Sequence, residues 1–386
     1  MSTAVATKLE LDTISRREDF TRLADEWDPL VRAMPRPSPF LLHAWLDAWT
    51  RHYGEATELT VHVARRDGRL VAALPLLVRR HLGLRAARFL GGRQSALGDL
   101  LLAPGEDLAT AEAVAARVRA SADLIDVYGL PTQSRLAEAL GSSLDVIQRV
   151  EAPILDLTSG WEAVYKAKTS SKKRNLHRRR RRQLAELGRL EVVVARDLDE
   201  LEPALEEAFR LHDLRWEGRP DGSGFAAPEG RPFQREAIAA LAELDVPRIV
   251  LLKLDDRAVA FHYYFAFEGR MYVHRLAFDP DLARFSPGLV NTLDTIEAAA
   301  NEGLTRVEFL GGAERYKTEI ADGFEPLCHG LGLAESVPAR AVVAARLGVI
   351  RLRLRLKRSS SLHRLYMGGT APLKRLAVRS KDALRA

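Results

Sequence analysis

The run FDPDLARFSPGLVNTLDTIEAAANEGLTRVEFLGGAERYKTEIAD, residues 278–322, is the stretch whose reading decides the fold. It opens on the end of an apolar strand and breaks at Asp279-Pro280. Pro287 sits where a helix starts, since its fixed φ suits the first turn and its missing N–H is not needed there. Apolar residues then recur at helical spacing to about Asn301, and Gly303 ends the helix as a C-cap. Thr305 to Leu310 reads as a strand, broken by Gly311-Gly312. The unit is therefore strand, loop, helix, strand. The loop from Asp279 to Gly288 ends at a helix N-terminus, where unpaired N–H groups and the helix dipole favour an anion. Arg284 adds a charge and Gly288 permits close backbone approach, so Arg284, Phe285, Ser286, Gly288 and Leu289 form a candidate phosphate loop. The simpler alternative is an ordinary helix started by a proline.

Working outward, a second series of elements begins after Ser159. A helix over 161–187 carries a basic run, Leu190 to Ala195 is a strand, and Asp197 caps a helix to about Trp216. A Gly/Pro-rich loop spans 218–232, a helix 233–244, and strands 248–254, 258–267 and 271–278. The first series reads similarly. A frayed leader enters a first helix near residue 20, and a helix spans 40–53. An Asp67-Gly68 hairpin and short strands and helices then run to Leu157. VARRDGRLVAALPLLV (63–78) and LLKLDDRAVAFHYYFA (251–266) share a strand, acidic turn, Arg, strand layout. FLGG occurs at 89–92 and 309–312, a weaker coincidence. Two related mixed α/β halves result. Their expected extents are 1–157 and 158–335, with a basic amphipathic or disordered tail over 336–386.

The order of the second series resembles the GNAT acyltransferase superfamily. Within it, Ser286-Pro287-Gly288, Ile296-Glu297, Gly303, Val307-Glu308-Phe309 and Glu314-Arg315-Tyr316-Lys317 resemble the acetyltransferase domain of cellulose-biosynthesis (CelD-like) proteins. Leu211-His212, Arg215-Trp216, Phe40-Leu41, Trp45, Trp49 and Gly98-Asp99-Leu100 also fit. Glu308 and Gly312-Ala313 depart from the family, which often has Asp and then an acidic turn at those positions. The related Fem-type peptidoglycan aminoacyl transferases carry two GNAT-like halves. The resemblance therefore implies tandem GNAT-like folds with a degenerate N-terminal half. It also implies acyl-CoA, most simply acetyl-CoA, as co-substrate, bound at the 284–289 loop, and acyl transfer to an amine.

Such a transfer needs an amine that has lost its proton, donors for the developing oxyanion, and an acid or cation for the leaving thiolate. Tyr316 and Lys317 follow the Gly311-Gly312 break, where a strand end opens into a cleft. The resemblance assigns Lys317 an electrophilic or phosphate-contacting role and Tyr316 a positioning or acid role. Asp99, matching the family's Gly-Asp pair, is the expected carboxylate for the acceptor amine; its alternative role is to cap a turn. His212, Arg215 and Trp216 share a helix face by spacing and are expected to line the cleft. In the run KTSSKKRNLHRRRRRQ (168–183), Lys173 and Arg174 are the expected contacts to an anionic acceptor. No ligand spacing for a metal is present.

Charge is concentrated. The chain has 386 residues and a net charge of +6, yet residues 166–182 hold ten Lys/Arg and no acid. Residues 340–386 hold thirteen Lys/Arg and one acid, Asp382, leaving 35 basic against 51 acidic residues elsewhere. Such patches point to anionic partners. The tail, 338–386, interleaves Leu and Arg and suits anionic lipid, so a cytoplasmic protein peripheral to the inner membrane face is expected. Cys328 is the single cysteine, which excludes an intramolecular disulfide. The leading expectation is an acyl-CoA-dependent N-acyltransferase acting on an amino sugar or other envelope or polysaccharide precursor. An aminoacyl-tRNA-dependent Fem-type ligase and a non-catalytic membrane-associated partner in polysaccharide assembly are the alternatives.

Overall fold

The computed structural model describes residues 8–55, 57–81, 83–216, 225 and 227–358. Two mixed sheets organise them. The first runs Leu9–Ile14, Glu58–Arg66, Arg69–His81, Leu84–Phe89, Leu124–Pro131, Leu327–Gly332, Leu144–Val150. The second runs Leu190–Ala195, Pro247–Leu254, Arg257–Phe267, Arg270–Phe278, Arg306–Glu308, Pro153–Asp156, Gly323–Phe324. In each sheet four antiparallel strands are followed by one parallel pairing, then two antiparallel ones. The two hairpins matched in sequence occupy the same place in each sheet. The FLGG repeats do not: one ends the fourth strand and the other follows the fifth.

The halves exchange a strand, so neither boundary drawn from the sequence separates them. Pro153–Asp156, before residue 157, pairs with Arg306–Glu308 in the second sheet. Leu327–Gly332 returns to lie between Leu124–Pro131 and Leu144–Val150 in the first. Each strand fills the slot that the other half leaves open. Leu9–Ile14 is a strand rather than a frayed leader. It is a half-exposed edge strand against Glu58–Arg66, and its polar LELDTI pattern hides that role. The 161–187 helix is two helices, Trp161–Lys168 and Ser171–Ala185. Ser170 breaks them, its Oγ accepting the Lys173 N–H at 3.3 Å as an N-cap.

The main core lies between the halves. Trp27, Phe40 and Trp45 of the first half pack with Phe209, Phe233, Tyr263 and Phe265 of the second. Glu308, wholly buried, binds Arg36 of the first half at 2.7 Å, Arg306 at 2.9 Å and Arg270 at 3.1 Å. It is therefore a structural ion-pair centre.

In the first half the parallel pairing covers only Ala86–Ala87 with Leu124–Ile125. Beyond it, Asp126 draws in Arg88 (3.4 Å), His329 (2.6 Å) and Arg346. These side chains form a charged cluster around Asp126 beside the parallel pairing. Arg346 comes from the helix Val337–Arg358, which buries Ala339 and lays Val342, Val343 and Leu347 against Leu84, Ala86 and Leu124. The start of the basic tail is thus a docked helix. Residues 359–386, the remainder of the segment expected to meet lipid, lie outside the described residues. Among the described residues no helix is long and apolar enough to cross a membrane.

Candidate active site

The second parallel pairing, Arg270–Tyr272 with Arg306–Glu308, stops after three residue pairs. Phe309 and Gly312 then donate their N–H groups to Pro153 and Glu151, each at 3.0 Å, turning the chain away. Val273 to Phe278 is left paired on one side only, with Arg257–Phe267. A strand edge open inside a sheet offers backbone donors and acceptors to an extended ligand chain.

Lys317 stands beside this opening, on the short helical turn Arg315–Thr318. It is buried, and its Nζ lies 2.8 Å from a Glu314 carboxylate oxygen and 3.4 Å from the Gly311 carbonyl. The Tyr316 ring centre is 5.9 Å from the same ammonium. Burial, with help from Glu314, pushes the Tyr316 phenol upward, so it keeps its proton at neutral pH. Burial is the largest single influence on the Glu314 carboxylate and works against its charge, but the Lys317 hydrogen bond, a backbone hydrogen bond and the charges of Lys317 and Arg215 together outweigh it and keep Glu314 ionised. Arg215 completes the group. Its guanidinium lies 5.0 Å from the Phe278 ring centre and acts on both Glu314 and Tyr316.

His262, on the adjacent strand Arg257–Phe267, is 1% exposed, and neither ring nitrogen has a protein partner. Burial, and then Lys317, push its pKa down to about 3, so it is a neutral imidazole. Asn291 lies on the helix Pro287–Asn301 and donates to the Val250 carbonyl at 3.3 Å, leaving its own Oδ1 unpartnered. Sequence reading missed Glu314, Phe278 and His262 as site residues. Glu314 stood inside the quoted Glu-x-Tyr-Lys motif and could have been found there.

Residues 280–289 form a turn that leads into a helix start. Asp279 caps the Pro280–Phe285 turn through the Asp281 N–H at 3.1 Å and pairs with Arg257 at 3.1 Å. Ser286 adopts φ 59°, the left-handed region, to swing the chain into the helix. At Gly288 a Cβ would lie 2.7 Å from Phe278 Cδ1, so glycine lets the helix start lie against the strand end. Arg284 is exposed, 4.6 Å from the Phe285 ring centre. Leu289 donates to the Ser286 carbonyl at 3.1 Å. The basic helix runs alongside: Arg180 donates to the Arg284 carbonyl, and Arg181 pairs with Asp294. Arg178, Arg179 and Arg182 remain exposed. The charges, helix start and open strand edge fit the phosphates and extended amide arm of an acyl-CoA.

The other expectations divide. Lys173 pairs with Glu319 at 2.8 Å, next to the Lys317 turn. Arg174 donates to the Lys166 and Thr169 carbonyls and ties two helices together, so it is not available for an acceptor. His212 and Trp216 stack at 5.8 Å, where the Arg275 charge acts on His212 more strongly than that of Arg215. Asp99 is not an acceptor-binding carboxylate. It is 3% exposed and accepts from Ser134 Oγ (2.7 Å) and the Leu100, Arg135 and Leu136 N–H groups (each 2.9 Å). Burial raises its pKa against those hydrogen bonds, but none of its acceptor capacity faces the cleft. It holds the start of the helix Arg135–Leu140. Cys328 is buried, with its thiol pushed up by that burial. No group of three His, Cys, Asp or Glu among the described residues could hold a metal.

The sequence pattern of the acetyltransferase (GNAT) domain family matches residues 171–318, which hold the loop, the open strand edge and Lys317. Residues 171–318 thus form a GNAT acetyltransferase domain. The two sheets give the chain a tandem GNAT-like fold. The GNAT domain suggests an acyl-CoA co-substrate. Solved structures of the same fold include the C-terminal domain of a protein assigned as a lysylphosphatidylglycerol synthetase from Agrobacterium fabrum. It has a TM-score of 0.55 and 12% identity, over 86% of this chain and 97% of that one. FemX aligns with a TM-score of 0.51 and 12% identity, over 83% and 96%. A conserved protein of Bacteroides thetaiotaomicron aligns with a TM-score of 0.53 and 13% identity, over 84% and 100%. At such identities the likeness is one of fold. No curated protein matches the chain by sequence.

Proposed function

We propose that the protein transfers an acyl group, most simply acetyl, from acyl-CoA to an amine borne by an amino sugar or other cell-envelope precursor. The observation that supports this most is the open strand edge at Val273–Phe278, flanked by the 284–289 loop and by buried Lys317. Acyl-CoA would supply the activated thioester carbonyl. The acceptor nitrogen attacks that carbon and the carbon–sulfur bond breaks. The ammonium proton goes to Glu314, the carboxylate nearest Lys317. Lys317 places a positive charge where negative charge grows on the carbonyl oxygen, and the protonated Tyr316 phenol gives its proton to the departing thiolate and takes back the second proton that the nitrogen sheds as the amide forms. Arg215 orients Glu314 and screens the leaving group. No covalent enzyme intermediate is needed, since Cys328 lies on the Leu327–Gly332 strand, away from this cluster.

In an acyl-transfer assay with acetyl-CoA and amino-sugar acceptors, Lys317→Ala should lower kcat by well over about tenfold with the fold intact. Full turnover by that variant would remove Lys317 from the mechanism. The exposed arginines of the Ser171–Ala185 helix favour one second reading, a polyanionic donor such as aminoacyl-tRNA. Under it, binding of the donor would fall steeply with salt, and CoA would not bind.

A further inference from the structure

The strand Arg270–Phe278 carries a β-bulge. Tyr263 opposes Arg275 and Tyr264 opposes Val273, so His274 has no partner across the ladder. A bulge turns two successive residues to one face. Here they are His274 and Arg275, and both face the first half. His274 sits among Phe40, Trp45, Tyr263 and Phe265, with ring centres 5.0 to 5.7 Å away. Burial holds it neutral.

Arg275 has no such escape, because a guanidinium keeps its charge. Its Nε is buried without an acceptor, and its Nη2 reaches Gln94 Oε1 only at 3.5 Å. The Phe225 ring centre is 5.8 Å away. The titratable groups that act on it are Tyr263, Tyr53 and a second cation, Arg93. Among the described residues no carboxylate pairs with it. Arg275 is half-buried with its Nε fully enclosed, and a cation so far withdrawn from water is normally paired. Among the described residues, the nearby groups without partners are a hydroxyl and an imidazole rather than acids. Tyr263 has a buried hydroxyl with no partner, and His212 a buried Nδ1 with none. Gln94 donates to the Tyr53 hydroxyl at 2.9 Å, which fixes its amide with Oε1 toward Arg275. Tyr53, Arg93 and Gln94 come from the first half, and His212, Tyr263 and Arg275 from the second.

We infer that this cluster between the halves is an oxyanion-binding site, and that its occupant is a carboxylate or phosphate group carried by the amine acceptor. Arg275 grips the oxyanion with its planar fork, the Tyr263 hydroxyl adds a neutral donor, and Arg93 supplies charge at the rim. That the anion belongs to the acceptor rests on the N-acyltransferase reading; the anion site does not. The first half then contributes one wall of the acceptor site.

The test is thermal unfolding of the full chain at constant ionic strength in chloride, with inorganic phosphate or glutarate added. No turnover is involved, so the outcome is independent of whether acyl-CoA is the donor. The wild type should melt at higher temperature with one or both anions, and the active arm names the oxyanion. Arg275→Met should melt higher than the wild type without anion, because an unpaired charge is gone, and should lose the anion response. Tyr263→Phe leaves the fold intact and should weaken the anion by about fivefold or more, as expected for one lost hydrogen bond. If neither anion raises the melting temperature, or if all three proteins respond alike, the site does not exist.

Discussion

At the scale of single residues, burial and available partners separate structural carboxylates from working ones. Asp99 and Glu314 both follow a Gly within a few positions in sequence. Asp99 spends every acceptor site on Ser134 and three backbone N–H groups, whereas Glu314 makes one ion pair and remains half exposed. Asp99→Ala should therefore cost about 2–3 kcal/mol of stability, the size of a lost cap plus buried donors left unpaired. Urea unfolding would measure it, and turnover per folded molecule should not change. A large kcat loss at full stability would return Asp99 to the site. The sequence showed Lys317 and Tyr316 through their motif. It did not show Glu314 apart from Asp99, because both are an acid near a glycine, and only the fold decides which one is enclosed.

At the scale of elements, the exchange of strands explains what was legible and what was not. Hairpins such as 63–78 and 251–266 declare themselves through local turn chemistry, and both formed as expected. The helix Pro287–Asn301 carries its own start and stop signals and also formed as expected. Pro153–Asp156 and Leu327–Gly332 carry no local mark of their destination, because strand partnership is a long-range choice. The halves are locked by the same crossing. Glu308 of a central strand holds Arg36 from the other half as well as Arg270 and Arg306. Glu308→Ala would bury three cations around a lost carboxylate. Such a break costs about 3–5 kcal/mol. Calorimetry should show the lower melting temperature, and an unchanged one would mean that water already screens these cations.

At the scale of the whole molecule, the charge pattern and the interior act differently. The exposed arginines of Ser171–Ala185 lie beside the phosphate loop and raise the local concentration of anions. Inside, histidines without a carboxylate partner stay uncharged. His62 and His262 are each 1% exposed, and burial lowers their pKa values to about 4 and about 3. Below pH 6.5 the unfolded chain binds protons that the folded chain refuses. Their contribution is thus complete above pH 6.5 and is lost as pH falls toward 4, by up to about 1.4 kcal/mol per pH unit for each histidine. Unfolding midpoints at pH 7 and pH 5 should show the drop, and His62→Gln should shrink it. A midpoint that stays flat or rises on acidification would show that these histidines accept protons in place.

The central claim joins the loop at 284–289, the open strand edge and Lys317 into one acyl-CoA site. Calorimetric titration of acetyl-CoA into the full chain tests it most directly, alongside an Arg284→Ala, Gly288→Pro double variant. The account predicts saturable one-to-one binding to the wild type, weakened by about tenfold or more in the variant, as loss of a phosphate-facing charge and N–H requires. No binding to the wild type, or equal affinity for both proteins, would contradict it.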